Sequence, residues 1–91
     1  MMLAERYQTI LSRKGASAQS SYTASLFEKG EDEILKKVGE ESVEVILAAK
    51  AQGNQRLTEE VADLTYHLLV LLASRGLTPA DISAELEKRK R

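Results

Sequence analysis

Gln55-Arg56-Leu57-Thr58-Glu59-Glu60-Val61-Ala62-Asp63-Leu64-Thr65-Tyr66-His67-Leu68-Leu69-Val70-Leu71-Leu72-Ala73-Ser74-Arg75 carries the strongest helical pattern in the chain. Leu57, Val61, Leu64, Leu68 and Leu71 fall at alternating spacings of four and three. That is the seam of a helix packed in a bundle, not the alternation of a strand. The run Leu68-Leu69-Val70-Leu71-Leu72-Ala73 is apolar nearly all round. A helix of that kind must be buried on most sides. The chain has 91 residues, and a domain so small buries a limited fraction of its surface. A second copy is therefore expected to complete the core, as a homodimer or higher homo-oligomer.

Upstream, the pattern predicts a partner helix over residues 31–52. Its first turn, Glu31-Asp32-Glu33, suits the positive end of the helix dipole. Ile34, Val38, Val45, Ile46 and Ala49 give it an apolar face, and Gly53-Asn54 is expected to end it. Three shorter helices are predicted around this pair. The first covers residues 2–13, with Leu3, Tyr7, Ile10 and Leu11 at helical spacing. Lys14 to Ser21 is small and polar and reads as a loop. The second covers residues 22–29, capped by Ser20 or Ser21 and stopped by Gly30. After residues 55–75 and Gly76, Thr78-Pro79 opens the last, with Thr as cap and Pro at the first helical position. Its charged end, Glu87-Lys88-Arg89-Lys90-Arg91, is expected to fray. The expected fold is all-α: one domain over residues 1–91, an antiparallel bundle of about five helices.

Composition narrows the function. Lys and Arg total 13 against 14 Asp and Glu, so no nucleic-acid-binding field is expected. The absence of Cys excludes a disulfide framework, a thiol nucleophile and a thiolate zinc site. Met1–Arg13 carries Glu5 and Arg6 and lacks the long apolar run of a signal peptide. The apolar run at Leu68–Ala73 is too short to span a bilayer. A cytoplasmic protein without membrane or nucleic-acid partners is expected.

Two acidic clusters face each other across the hairpin, Glu40-Glu41-Ser42-Val43-Glu44 and Glu59-Glu60-Val61-Ala62-Asp63. Glu41 and Glu44 are i and i+3 and share a helix face, as do Glu60 and Asp63. Glu44 lies about as far before Gly53 as Glu60 and Asp63 lie after it, so Glu44 should face both, with Glu41 one turn further from the hairpin. Two like charges about 4 Å apart cost on the order of 4 kcal/mol at an effective dielectric of about 20. Mg²⁺, or Mn²⁺ in its place, is the cation such oxygen ligands prefer. The plainer alternative is a solvated helix face, the usual role of a charge run. Gly39, inside the helix, allows the close approach either of a ligand or of a neighbouring helix.

Ser21-Tyr22-Thr23-Ala24, Lys37-Val38-Gly39-Glu40-Glu41, Glu44, Glu60, Asp63 and Tyr66-His67-Leu68-Leu69-Val70-Leu71-Leu72 together resemble the phosphoribosyl-ATP pyrophosphohydrolase family. The likeness covers residues 20–77. Glu-Glu-x-x-Glu with Glu-x-x-Asp is shared by the wider all-α nucleoside triphosphate pyrophosphohydrolases; the Ser-Tyr-Thr-Ala and Lys-Val-Gly-Glu-Glu segments point to the histidine-pathway enzyme. The resemblance implies hydrolysis of phosphoribosyl-ATP, between its α and β phosphates, to phosphoribosyl-AMP and pyrophosphate. It also implies a helical dimer. Some members are fused to a cyclohydrolase with Cys metal ligands, so this Cys-free chain is expected to be the stand-alone form.

On this reading Glu41, Glu44, Glu60 and Asp63 bind the metal, which neutralises phosphate charge and activates water. Glu40 has three open roles: metal ligand, base, or structural ion pair. Lys37, with Lys36 beside it, is a candidate phosphate contact; its alternative is an ion pair with Glu33, Glu40 or Glu41. Ser21, Tyr22 and Thr23 open a helix whose N-terminus suits phosphate, though Ser and Thr there are more commonly caps. Tyr22 could also stack on adenine or pack in the core. His67 is a neighbour for a ligand carboxylate or, more commonly for a lone His on an apolar helix, a satisfied core residue. Tyr66 reads as packing. Two other functions stay open. One is a pyrophosphohydrolase of free nucleotides, such as a dUTPase-like or housecleaning enzyme. The other is a non-catalytic helical dimer module.

Overall fold

A computed structural model describes residues 2–19 and 21–90, apart from the Met2 side chain. The candidate cap Ser20 and the terminal Arg91 lie outside the described residues. The elements are α1 (Met2–Ser12), α2 (Tyr22–Lys29), α3 (Glu31–Ala51), α4 (Gly53–Ser74) and α5 (Pro79–Lys88), with no strand among the described residues. The all-α expectation and the five helices hold.

The caps explain the boundaries. Ser21 caps α2, its hydroxyl accepting from the Ala24 N–H at 3.1 Å. Thr78 caps α5 reciprocally with Asp81: the Thr78 hydroxyl accepts from the Asp81 N–H at 3.3 Å, and the Asp81 carboxylate accepts from the Thr78 N–H at 2.8 Å. Pro79 takes the first turn, where its missing N–H costs nothing.

The hairpin differs from expectation. Gly53-Asn54 does not separate α3 from α4; both residues open α4, and Gln52 alone lies between the helices. Gly53 has φ +86°, a left-handed conformation that reverses the chain within one residue and leaves Asn54 free to be helical. The tight reversal lays α3 along α4, the most extensive helix pair in the chain.

Tyr7 and Ile10 of α1, Leu26 of α2, Ile34 of α3, and Leu69, Val70 and Ala73 of α4 make the core. Ile10, Leu26, Ile34 and Val70 are fully buried, and each such side chain contributes roughly 1.5–3 kcal/mol. Lys14 ties the loop after α1 to α4 by donating to the Ala73 carbonyl at 3.0 Å. Tyr7 donates to the Leu77 carbonyl before α5.

The expected seam of α4 is not the core of this chain. Its buried residues are Glu60, His67, Leu69, Val70 and Ala73, whereas Val61 and Leu68 are 43% and 40% exposed. On α3, Ala48 is buried where Ala49 was expected, and Ile46 is 61% exposed. The physical reason is that α4 has two apolar faces. The one that alternates most regularly is not the one turned to α1 and α2.

Candidate metal centre

Glu41 of α3 and Glu60 and Asp63 of α4 each offer a carboxylate oxygen, and these oxygens lie within 4.8 Å of one another. Glu60 is only 5% exposed. Its compensation is Arg56, one turn earlier, which donates to both Glu59 and Glu60. Burial lifts the Glu41 carboxyl above its ordinary value, and the neighbouring Asp63 and Glu60 push the same way, against His67 and Lys37. The cluster is short of positive charge, and its all-oxygen donor set suits a hard divalent cation.

Glu44 is not in this group. Residues three apart on a helix differ by about 60° in direction, so only one of Glu41 and Glu44 can aim straight across the hairpin. In this structure that residue is Glu41, contrary to the height argument that put Glu44 opposite Glu60 and Asp63. Glu44 instead lies with Glu40, Glu41 and Val43 on an open face of α3. Glu40 is exposed and pairs with Lys37 at 3.6 Å, the structural pair among its open roles. Lys37 is near enough to Glu41 and Tyr22 to act on their charge. Lys36 is exposed and projects elsewhere, since five residues separate it from Glu41, about 140° around the helix.

His67 connects the carboxylates to α2. Its ring is buried, with Nδ1 2.9 Å from the Asp63 carbonyl oxygen and 3.8 Å from a Glu41 carboxylate oxygen. A carbonyl only accepts, so Nδ1–H is the donor there. In the neutral ring Nε2 then accepts from the Tyr22 hydroxyl at 3.0 Å. His67 is thus both a satisfied buried residue and a neighbour of two cluster members. Partial desolvation raises the Tyr22 phenol above its ordinary value, with Lys37 opposing and Tyr66 and Glu41 assisting, so it stays protonated as this bond requires.

Thr23 and Tyr66 share a hydrogen bond between their hydroxyls. Tyr66 also lies edge-on to His67, centroids 4.9 Å apart, and stacks loosely with Tyr22 at 6.3 Å. The expected packing role of Tyr66 holds, and its hydroxyl adds a link to α2. Tyr22 is therefore linked to the carboxylate cluster through His67 and Thr23 to Tyr66, while Ser21 serves as the cap of α2.

Sequence reasoning missed three arginines near the site. Arg56 precedes Glu60 by four residues, a spacing that signals an ion pair. Arg6 and Arg13 of α1 line a cleft with Ser21, Tyr22, Thr23 and Tyr66. Their i, i+7 spacing puts them on one face, but nothing in α1 alone shows what that face meets.

Residues 3–90 match the family described as phosphoribosyl-ATP pyrophosphohydrolase. Among curated relatives, phosphoribosyl-ATP pyrophosphatase of Pelotomaculum thermopropionicum is 54% identical over 89 residues, covering 98% of this chain and 91% of the relative. The same-named protein of Listeria welshimeri is 56% identical over 89 residues, covering 98% of this chain and 85% of the relative. That of Trichlorobacter lovleyi is 57% identical over 88 residues, covering 97% and 82%.

Proposed function

The chain belongs to the phosphoribosyl-ATP pyrophosphohydrolase family, and from that premise we propose that it hydrolyses phosphoribosyl-ATP to phosphoribosyl-AMP and pyrophosphate. This is the second step of histidine biosynthesis, carried out in the cytoplasm by a single domain. The observation that carries the reading is the convergence of Glu41, Glu60 and Asp63 to within 4.8 Å across one hairpin.

These three side chains would hold Mg²⁺, or Mn²⁺ in its place, with Glu44, one turn along α3, as the candidate for a fourth carboxylate. When bound, the cation supplies charge neutralisation at the phosphate oxygens and activation of water. His67 bonds the Asp63 backbone carbonyl and stands 3.8 Å from a Glu41 carboxylate oxygen, so it would act as a neighbour of the metal ligands and not as a ligand itself. Lys37, whose charge acts on both Tyr22 and Glu41, would contact a phosphate oxygen of the triphosphate. Water adds to one phosphoryl group as the bond between the α and β phosphates breaks. Glu40 is free to exchange its Lys37 partner for the proton released.

The active form is a homodimer. Leu35, Gly39, Val43 and Ile46 form one stripe along α3, and the three large side chains in it are exposed by 45%, 54% and 61%. A Cβ at Gly39 would meet nothing within 4 Å in this chain, so the room it leaves suits a helix of a second copy. Val61 and Leu68 extend the apolar surface onto α4. An exposed set of this size marks an interaction surface. The radius of gyration is 14.2 Å, against about 12 Å for a compact chain of this length.

Asp63→Asn tests the assignment. Pyrophosphate release from phosphoribosyl-ATP with Mg²⁺ is expected to fall at least about a hundredfold while the helical circular dichroism is kept. Retained turnover would remove Asp63 from the metal site.

A further inference from the structure

Apart from the carboxylate cluster, a cleft of about 270 Å³ lies between α1, the start of α2 and α4. Arg6 and Arg13 line it from α1, Ser21, Tyr22 and Thr23 from α2, and Tyr66 from α4, and no Asp or Glu is among the lining residues. The arginines set it apart. Arg56, Arg75 and Arg89 are each engaged by a carboxylate. Among the described residues, neither Arg6 nor Arg13 makes an ion pair or hydrogen bond, and both share this cleft.

Two unpaired guanidinium groups and several hydroxyls, with no acid among them, make a receptor for a dianion. We propose that this cleft binds a phosphate monoester: the terminal phosphate of the phosphoribosyl group, at the end of the substrate remote from the triphosphate. The proposal rests on the function inferred above. Connectivity carries it further. Tyr22 lines the cleft, and its hydroxyl meets His67 Nε2 at 3.0 Å, while Nδ1 of the same ring is 3.8 Å from Glu41. One phenol and one imidazole separate the cleft from the cluster, so a molecule with an anionic group at each end reaches both. The volume suits a phosphoryl group and its sugar rather than a whole nucleotide.

Such a site also sets specificity. A free nucleoside triphosphate would occupy the carboxylate cluster with its metal and leave Arg6 and Arg13 unpaired. A substrate carrying the second phosphate satisfies both ends.

The test is a titration of ribose 5-phosphate into the intact protein in EDTA, followed by ³¹P NMR. Without a divalent metal the carboxylate cluster repels phosphate, so binding reports the arginine cleft. Wild type is expected to bind saturably. Affinity should weaken about tenfold in Arg6→Gln and in Arg13→Gln, and about a hundredfold in the double variant. The single variants keep the result readable if the double variant misfolds. On phosphoribosyl-ATP with Mg²⁺, kcat/KM is expected to fall in the same proportion. Absence of saturable binding, or equal binding by wild type and both single variants, overturns the proposal. Binding that depends on Arg6 and Arg13 in a protein that does not hydrolyse phosphoribosyl-ATP would retain the phosphate site and discard the proposed function. Wild-type kcat/KM on phosphoribosyl-ATP in the arginine variants would discard the site and retain the function.

Discussion

Glu41→Gln should make the metal-free protein more stable and the enzyme inactive. The three carboxylate oxygens approach within 4.8 Å, and at an effective dielectric of about 20 a pair of like charges at that distance costs about 3.5 kcal/mol. Much of this is offset. Arg56 pairs with Glu60, and Lys37 and His67 act favourably on Glu41. A net gain of about 1 kcal/mol is expected, which raises Tm by about 4–8 °C for a domain of this size.

The pH dependence gives the same argument a sign. Glu41 titrates above its ordinary 4.5 in the folded protein, through burial first and then Asp63 and Glu60, with His67 and Lys37 opposing. A carboxyl raised on folding binds more protons in the native than in the unfolded state between the two values. Its contribution is therefore fully present below 4.5 and is lost as pH rises through the folded value. Metal-free wild type should lose stability over that window, and Glu41→Gln should flatten this part of the profile.

Magnesium reverses the order of the two proteins. At about a hundred times its dissociation constant it should stabilise wild type by about 2.7 kcal/mol, and the variant much less. The assay is thermal denaturation by circular dichroism at fixed protein concentration, from pH 4 to 8, in EDTA and then in Mg²⁺. A destabilised metal-free variant, or equal magnesium responses, would show that Glu41 is not part of a repulsive, metal-binding cluster.

Three further outcomes follow from the same geometry. Glu44→Gln should lower magnesium-dependent turnover at least about tenfold with little change in the metal-free Tm, measured by steady-state kinetics and melting; unchanged kinetics would leave Glu44 as a residue of the open α3 face only. Wild type is expected to be dimeric and Ile46→Lys or Val43→Lys monomeric in analytical ultracentrifugation, and a monomeric wild type would contradict the apolar-face argument. Ile34→Ala should cost about 2–5 kcal/mol in urea denaturation, because Ile34 is fully buried between α2 and α4.

What was legible in the sequence follows from how local each signal is. The caps at Ser21 and Thr78 and the apolar periodicity act within a turn or two, so five helices could be read directly. The pairing of the acidic clusters needed only the hairpin. Which face of α4 meets the rest of the chain was a different matter. Leu57, Val61, Leu64, Leu68 and Leu71 have better periodicity than Leu69, Val70 and Ala73, yet the latter are buried. Periodicity reports that a face is apolar, not which partner covers it. The choice between Glu41 and Glu44 depended on helix rotation, which i and i+3 spacing leaves open by about 60°. Arg6 and Arg13 were invisible as site residues because the contact of α1 with the start of α2 is tertiary. His67 was legible only as two alternatives, and the structure satisfies both, since its two ring nitrogens face different neighbours.

Pyrophosphate release with Mg²⁺ from phosphoribosyl-ATP, set beside ATP, dUTP and dCTP, decides whether the chain has the proposed activity. Strong preference for phosphoribosyl-ATP, abolished by EDTA, is expected. Preferred turnover of a free nucleotide, or no turnover of any of the four, would contradict it.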